Sequence, residues 1–521
     1  MPPAPAPFFS DPSHLALNAP GPDDHPVLLV SGGNSSKKER FTVAAARPLA
    51  ILQAERSDGP ICLMGGGDGR TLGQFKDLQS AADTALALLA GPDGAREELD
   101  APANGAGPEP GLFGFLTYEY GANFDRMPWR EPEATPALWF GLYPVLYVAD
   151  RNTRKAWWVT RDLNESSAAN YGLQKGADES LCHLTAWIDR AQEAQAIRES
   201  SAAPPPDLLP HKKIAPDFPS DWRDNWIPSL SEGEYKVALA RVREYLLCGD
   251  IYQANLTVRY RREVDISPPE LFASLLRENP SPYAAFLHMP GWAVLSTSPE
   301  LFVRVTSNGN VLTSPVKGTM GRSRKSAVPH EAATSAPSSL ADSAKDRAEH
   351  LMIVDLERND LGKICEIGSV KVNPLMEVES FVGLDHMISN VSGQLKPGLG
   401  AIDVLKALFP GGSISGAPKI RALEVIHELE PVPRGVYTGA IGWIGAEGGA
   451  QFNVAIRTLI AANGLIDLHV GGGIVADSDP DAEYEECRIK GEAIARALEI
   501  NLYTRNPEAS GKPLSATAPQ K

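Results

Sequence analysis

Three tight-turn signals stand out in the C-terminal half: Ser307-Asn308-Gly309, Glu447-Gly448-Gly449 and Asn463-Gly464. Each separates apolar runs of strand length. Ala293 to Val305 precedes Val311 to Val316, Thr438 to Gly445 precedes Gln451 to Ala461, and that last run precedes Leu465 to Val475. Asn and Gly tolerate the positive φ of a short hairpin, so such turns join antiparallel strands. A parallel crossover needs a dozen or more residues, far more than these connections offer. Helical periodicity lies between the hairpins, over about Ala341 to Asp360, Ala401 to Leu408, Lys419 to Glu428 and Asp481 to Leu498. Ser231-Glu232-Gly233-Glu234 is a capping-box pattern opening an amphipathic helix to about Leu247. The class is α+β with large antiparallel β-sheets.

Five stretches follow from the patterning. Residues 1–25, rich in Pro, Ala and Asp, are expected to be a flexible N-terminal arm. Residues 26–197 read as an N-terminal α/β region, with β-like runs at Ile61 to Met64, Leu112 to Tyr120 and Gly141 to Val148 and a clear helical signal at Ala81 to Leu89. Residues 198–228 contain Ala203-Pro204-Pro205-Pro206 and read as a linker joining two halves. Residues 229–503 carry the hairpins, and residues 504–521 form a polar tail expected to be disordered.

A chain of 521 residues can bury a large core. Its net charge of −16, with no patch of excess Lys/Arg, argues against a general nucleic-acid binder. No apolar run approaches the roughly 18 residues of a membrane span. The five cysteines (Cys62, Cys182, Cys248, Cys365, Cys487) form no CxxC pair, a reduced intracellular pattern rather than a disulfide or zinc framework. The N-terminus has neither the basic nor the apolar segment of a secretory signal, and the first basic residue is Lys37. A cytoplasmic location is expected.

Two helices place carboxylates on apolar stripes. Glu349 shares a face with Met352, Ile353 and Leu356, and Glu483 and Glu486 share one with Ile489, Lys490 and Ala493. A buried carboxylate is costly unless it is paired, hydrogen-bonded or bound to a cation. Without His or Cys at ligand spacing, these acids suit Mg²⁺ better than zinc. Gly471-Gly472-Gly473 follows a strand, which fits either a bulge or a backbone that approaches an anion closely. The run Gly411 to Lys419 opens a helix and is not a Walker loop, and Gly65 to Gly69 lacks dinucleotide-binding spacing. Cys62 has no His-x-Glu downstream to activate it and reads as a buried strand residue rather than a glutaminase nucleophile.

Together these segments identify a resemblance. In order along the chain are Gly249 to Leu256, Ser298-Pro299-Glu300, Pro315-Val316-Lys317-Gly318-Thr319, Ala348 to Leu356, Arg358-Asn359-Asp360, Ser415 to Lys419, Ile456-Arg457-Thr458 and Gly471 to Val475. The set resembles the chorismate-utilising enzymes: anthranilate synthase component I, aminodeoxychorismate synthase component I, and the isochorismate and salicylate synthases. The resemblance covers residues 231–500 well. It is looser in the N-terminal half, through Gly114 to Glu119 and Trp139 to Tyr143. It implies that the sheets form a sandwich flanked by helices.

The resemblance also implies roles. Glu349 and Glu486, with Glu483 close by, match the acids that bind Mg²⁺. Arg457, Tyr437, Lys490 and the backbone of Gly471, Gly472 and Gly473 match the binders of the substrate carboxylates, and Gln253 and Thr319 lie in the substrate-contacting motifs. Glu300 matches the acid that protonates the departing hydroxyl, and His386 matches an active-site histidine. Isochorismate and salicylate synthases place a lysine base where this chain has Gln253, so water addition is disfavoured here. Anthranilate synthases have alanine where this chain has Lys317. Aminodeoxychorismate synthases have lysine there, a nucleophile towards C2 of chorismate. The expected activity is therefore that of aminodeoxychorismate synthase component I, with anthranilate synthase component I as the alternative and a non-catalytic chorismate-binding partner as a second. The expected activity uses chorismate and ammonia for p-aminobenzoate and folate synthesis, with ammonia supplied by a separate glutamine amidotransferase subunit. The usual Leu-Leu-Glu-Ser of tryptophan feedback is replaced by Ile51-Leu52-Gln53-Ala54-Glu55-Arg56, which puts such feedback in doubt.

Overall fold

A computed structural model describes residues 6–31, 40–89, 96–99, 107–125, 129–173, 176–200, 221–321, 344–381 and 384–505. Two large sheets, of 12 and 11 strands, face each other, and a third has three strands. Between the large sheets lies an apolar layer with residues from both, including Val27, Leu146, Leu287 and Val294 from one and Phe113, Trp139, Ile441 and Trp443 from the other. Helices bury their apolar stripes on the two outer faces. Trp187, Leu239, Phe272 and Ile494 cover the 12-stranded sheet, and Ala81, Leu361 and Leu405 cover the 11-stranded one. The result is a sandwich flanked by helices, as the resemblance implies. Each sheet face and helix stripe finds an apolar partner.

The hairpins form where turn chemistry places them. Leu301–Val305 pairs with Asn310–Ser314, Ala440–Gly445 with Ala450–Val454, and Thr458–Ala462 with Leu465–Ile474, all antiparallel. The capping box opens the Glu232–Leu247 helix, with Ser231 N donating to Glu234 Oε2 at 2.8 Å and Glu234 N to Ser231 Oγ at 3.3 Å.

The domain reading needs correction. Residues 26–197 are not a separate region, because both sheets run through both halves of the chain. Val27–Val30 pairs with Tyr283–Met289, and Gly111–Leu116 pairs with Ala440–Gly445. Nor are residues 6–25 a flexible arm. Ser13–Leu17 is a helix whose Leu15 and Ala16 are fully buried, and Leu15 O accepts from Trp187 Nε1 at 2.9 Å. Its few apolar residues outweigh the Pro- and Asp-rich flanks. The linker is shorter than expected: residues 198–200 end the Gly176–Ser200 helix, and 201–220 lie outside the described residues. Trp222 is buried, donates to Arg488 O at 2.9 Å, and occupies the space beside Gly491. The last helix runs over Pro480–Arg505, past the expected start of the tail, of which 506–521 lie outside the described residues.

Two apolar runs that read as single strands are each broken. Trp292–Ser298 belongs to the 12-stranded sheet and Leu301–Val305 to the 11-stranded one, so the chain changes sheets at Pro299-Glu300. Pro299 has no N–H for a ladder, which ends the strand there. Beside it, Ala450–Val454 and Thr458–Ala462 change sheets at Ala455 to Arg457, where Arg457 takes φ +52°. The two crossings are tied together, with Val454 N donating to Glu300 O at 3.1 Å and Thr297 N to Arg457 O at 3.0 Å.

Candidate active site

Gly471, Gly472 and Gly473 end the Leu465–Ile474 strand and pair with Thr257, Leu256 and Asn255. Side chains close on this stretch. A Cβ on Gly473 would lie 2.0 Å from Gln253 Nε2 and 2.8 Å from Lys317 Nζ. One on Gly472 would lie 3.1 Å from Glu483 Oε2, 3.8 Å from Lys490 Nζ and 3.9 Å from Glu486 Oε1. Close approach, rather than backbone freedom, accounts for these two glycines.

Lys317 reaches this point from the three-stranded sheet, on Val316–Gly321. Its amino group is 3.4 Å from Glu349 Oε2, on the Ala344–Ile364 helix. Gln253 is buried, and its Oε1 has no hydrogen-bond partner among the described residues, leaving an acceptor for a ligand beside the lysine. His386 is buried on Leu384–Ile388, opposite Thr319 in the ladder, while Met387 is opposite Lys317. The Thr319 backbone lies on this strand, and its side chain falls outside the described residues.

Glu300, at the first sheet crossing, is 4% exposed and accepts from Ser413 Oγ at 2.7 Å. Burial pushes its carboxyl up to about 7, while Ser413 and the Lys317 charge pull it down. It thus holds its proton well above the ordinary carboxyl range. Arg457, at the second crossing, is half-buried, and loss of water lowers its guanidinium to about 10. Among the described residues its side chain contacts no carboxylate, and Nη1 donates to the neutral Asn279 Oδ1 at 3.3 Å. A desolvated guanidinium without a counter-ion suits an anionic ligand. Tyr437 is buried and stacks on His469, centroids 5.1 Å apart, and burial holds its hydroxyl protonated.

Lys490 is placed differently from an open carboxylate binder. It pairs with Glu486 at 2.7 Å and donates to Gly471 O at 2.7 Å, which ties the last helix to the glycine strand. Buried Glu483 accepts from Ser478 Oγ at 2.6 Å. Glu483 and Glu486 thus converge on Gly472, while Glu349 lies beside Lys317. An all-oxygen donor set from two helices fits a hard divalent cation. Among the described residues no three acidic, His or Cys side chains form a ready-made cage.

Three contributors escaped the sequence reading. Ser413 holds Glu300, Asn279 holds Arg457, and Glu357 is a buried carboxylate that accepts from Gly412 N at 3.2 Å. Glu357 had a signal: it lies four residues after Ile353 and four before Leu361, on the apolar stripe of its helix.

The family model for chorismate binding enzymes matches residues 34–496. The chain is 44% identical over 495 residues to aminodeoxychorismate synthase component 1 of Escherichia coli, covering 94% of this chain and 95% of that protein. It is 38% identical over 392 residues to anthranilate synthase component 1 of Streptomyces coelicolor, covering 74% and 72%. Among solved structures, anthranilate synthase component I of Streptococcus pneumoniae aligns with TM-score 0.64 and 29% identity, over 89% of this chain and 94% of that one. No helix among the described residues is long and apolar enough to cross a membrane. With this match across most of its length, and with the motif residues gathered around one glycine strand, the chain belongs to the chorismate binding enzyme family.

Proposed function

We propose that the chain catalyses the aminodeoxychorismate synthase component I reaction, converting chorismate and ammonia to 4-amino-4-deoxychorismate for p-aminobenzoate and folate synthesis. The observation that carries this reading is the position of Lys317. Its amino group lies between Gly473, Gln253 and Glu349, and its charge is felt at Glu300. A nucleophile and a protonated acid are thus brought to one site.

In the first half-reaction Lys317 Nζ bonds to C2, both ring double bonds shift, and the C4–O bond breaks. Glu300 gives its proton to the departing oxygen, which leaves as water, and the proton shed by the lysine nitrogen restores Glu300. In the second, ammonia bonds to C4, both double bonds shift back, and the C2–N bond breaks. The proton lost by ammonia returns the lysine to an amine. Arg457 binds a substrate carboxylate, and Tyr437 and the Gly471–Gly473 backbone line its position. Mg²⁺, held by Glu349 and Glu486 with Glu483 close by, would offset the negative charge beside Lys317 and draw electron density towards the ring carboxylate. Ammonia comes from a separate glutamine amidotransferase subunit, a reading supported by relatives that are named as first components. A cytoplasmic location fits this soluble-substrate chemistry.

Likeness to anthranilate synthases supports a second reading, release of anthranilate. Product identification with chorismate, ammonium and Mg²⁺ decides between them. The proposal expects a product that becomes p-aminobenzoate only when a lyase is added, and direct release of fluorescent anthranilate refutes it. Lys317→Ala should lose about 100-fold or more in rate. An unchanged rate and product in that variant would remove the covalent lysine from the mechanism.

A further inference from the structure

The short turn Gly412–Ile414 is gripped by two buried carboxylates at adjacent residues. Ser413 Oγ donates to Glu300 Oε1 at 2.7 Å, and Gly412 N donates to Glu357 Oε1 at 3.2 Å. Both carboxyls are 4% exposed. A Cβ on Gly412 would sit 2.7 Å from Leu356 Cδ2 and 3.3 Å from Glu357 Oε1, so the turn packs directly on the Glu357 helix. Glu357 Oε2 is buried, and among the described residues no donor reaches it with hydrogen-bond geometry. The reaction proposed above assigns Glu357 no role. A buried carboxyl that shares a turn with the proposed general acid calls for one.

We propose that Glu357 is a positioning residue for Glu300: by sharing one turn with it, Glu357 carries the negative charge of the pair and so keeps the proton on Glu300. The inference rests on Glu300 being the acid of the proposed reaction.

The surroundings decide which carboxyl holds the proton. Facing Glu357 are Lys419 on the Lys419–Leu429 helix, the Gly412 amide, the Thr313 hydroxyl on Asn310–Ser314 and Asp360 on its own helix. Lys419, Gly412 and Thr313 favour the ionised form, and Asp360 opposes it. Asp360 is itself bound by Lys419 at 2.7 Å and Lys363 at 2.8 Å, so its charge is largely answered. Facing Glu300 are Ser413, Glu357, the Val316 backbone and Lys317. Two like charges in one buried region are disfavoured. Burial raises both carboxyls, and the Lys419 cation facing Glu357 favours placing the charge of the pair there. When Glu300 has given its proton to the leaving oxygen, the charge on Glu357 ensures that it regains one before the next turnover.

The test is a pH titration of the full-length protein, wild type against Glu357→Gln, Glu357→Asp and Glu300→Gln. It is read both as the kcat profile and as the infrared carboxyl signal of the free enzyme. In Glu357→Gln the basic limb of kcat and the Glu300 carboxyl signal should both move down by roughly one pH unit, with chorismate affinity unchanged. Glu357→Asp should restore most of the shift. A folded Glu357→Gln with neither titration moved overturns the inference. If it does not fold, Thr313→Val replaces it: a smaller shift in the same direction supports the inference, and no shift overturns it. Failure of the acid assignment is distinguishable, because Glu300→Gln would then keep its turnover while the infrared signal still reports whether the two carboxyls are coupled.

Discussion

Glu300 and Arg457 occupy the two neighbouring places where strands leave one large sheet for the other, and their backbones share one pair of cross-links, Val454 N to Glu300 O and Thr297 N to Arg457 O. The proposed acid and the proposed carboxylate binder are thereby held on one pair of cross-linked strand crossings. Such fixed spacing is what positioning catalysis requires.

Glu300→Gln should cost roughly 100- to 10,000-fold in kcat, the usual range for a general acid. It should also change the pH dependence of stability. The wild-type carboxyl is raised from 4.5 to about 7, so the folded state binds the proton more tightly than the unfolded state does. Its contribution is fully present below about 4.5 and is lost as pH rises towards 7. The variant lacks this loss. Its stability relative to wild type should rise across that window by on the order of 3 kcal/mol, read as Tm against pH.

Arg457→Met should raise the KM for chorismate by roughly 10- to 100-fold, through loss of a charge-assisted contact. Without ligand, the same change should cost little stability, because it removes a desolvated cation that no carboxylate among the described residues balances. Parallel KM and thermal-melt measurements check the two halves, and a large drop in Tm contradicts the second.

Gly473→Ala forces a methyl group onto Gln253 Nε2 and Lys317 Nζ. Both are ends of flexible side chains and can swing away, so Tm should stay within a few degrees of wild type. Displacing the nucleophile by about 1 Å should still lower kcat by about 100-fold. Steady-state kinetics on a folded variant test this.

Arg434 is buried and donates to five residues at once. It pairs with Glu430 at 2.7 Å and donates to Ile414 O, Asn255 O and Thr438 Oγ1 at 2.9, 2.6 and 3.4 Å, while its backbone N donates to Glu119 Oε1 at 2.7 Å. Arg434→Met leaves Glu430 buried and unpaired, and should cost about 3–5 kcal/mol in chemical denaturation. A loss below about 1 kcal/mol contradicts this account.

Local chemistry was readable in the sequence. Asn463-Gly464 and Ser231 to Glu234 each carry their structure within a few residues, and the hairpins and capped helix form as that chemistry directs. Long-range pairing leaves no such trace. Nothing near Val27 announces Leu287 as its partner, so the halves looked separable when they share two sheets. The sheet crossings were hidden for a related reason. Apolar residues continue through Pro299 and Ile456, and only the three-dimensional ladders show the change of sheet. The site motifs brought Lys317, Glu349, Gln253 and Gly473 to notice. Glu357 offered the same apolar-stripe signal as Glu349 but stands outside the residues to which the resemblance gives a role.

The sheet that carries Lys317 has a mechanical consequence. It extends from the 11-stranded sheet at one end, where Asn310–Ser314 and Val391–Gln394 lead into Val316–Gly321 and Leu384–Ile388 and Ser389 N donates to Pro315 O at 3.3 Å. Shifting Glu300 or Arg457 would tear ladder bonds in the sandwich. Lys317 is thus carried on a small sheet rooted in the sandwich, whereas Glu300 and Arg457 sit within the sandwich itself.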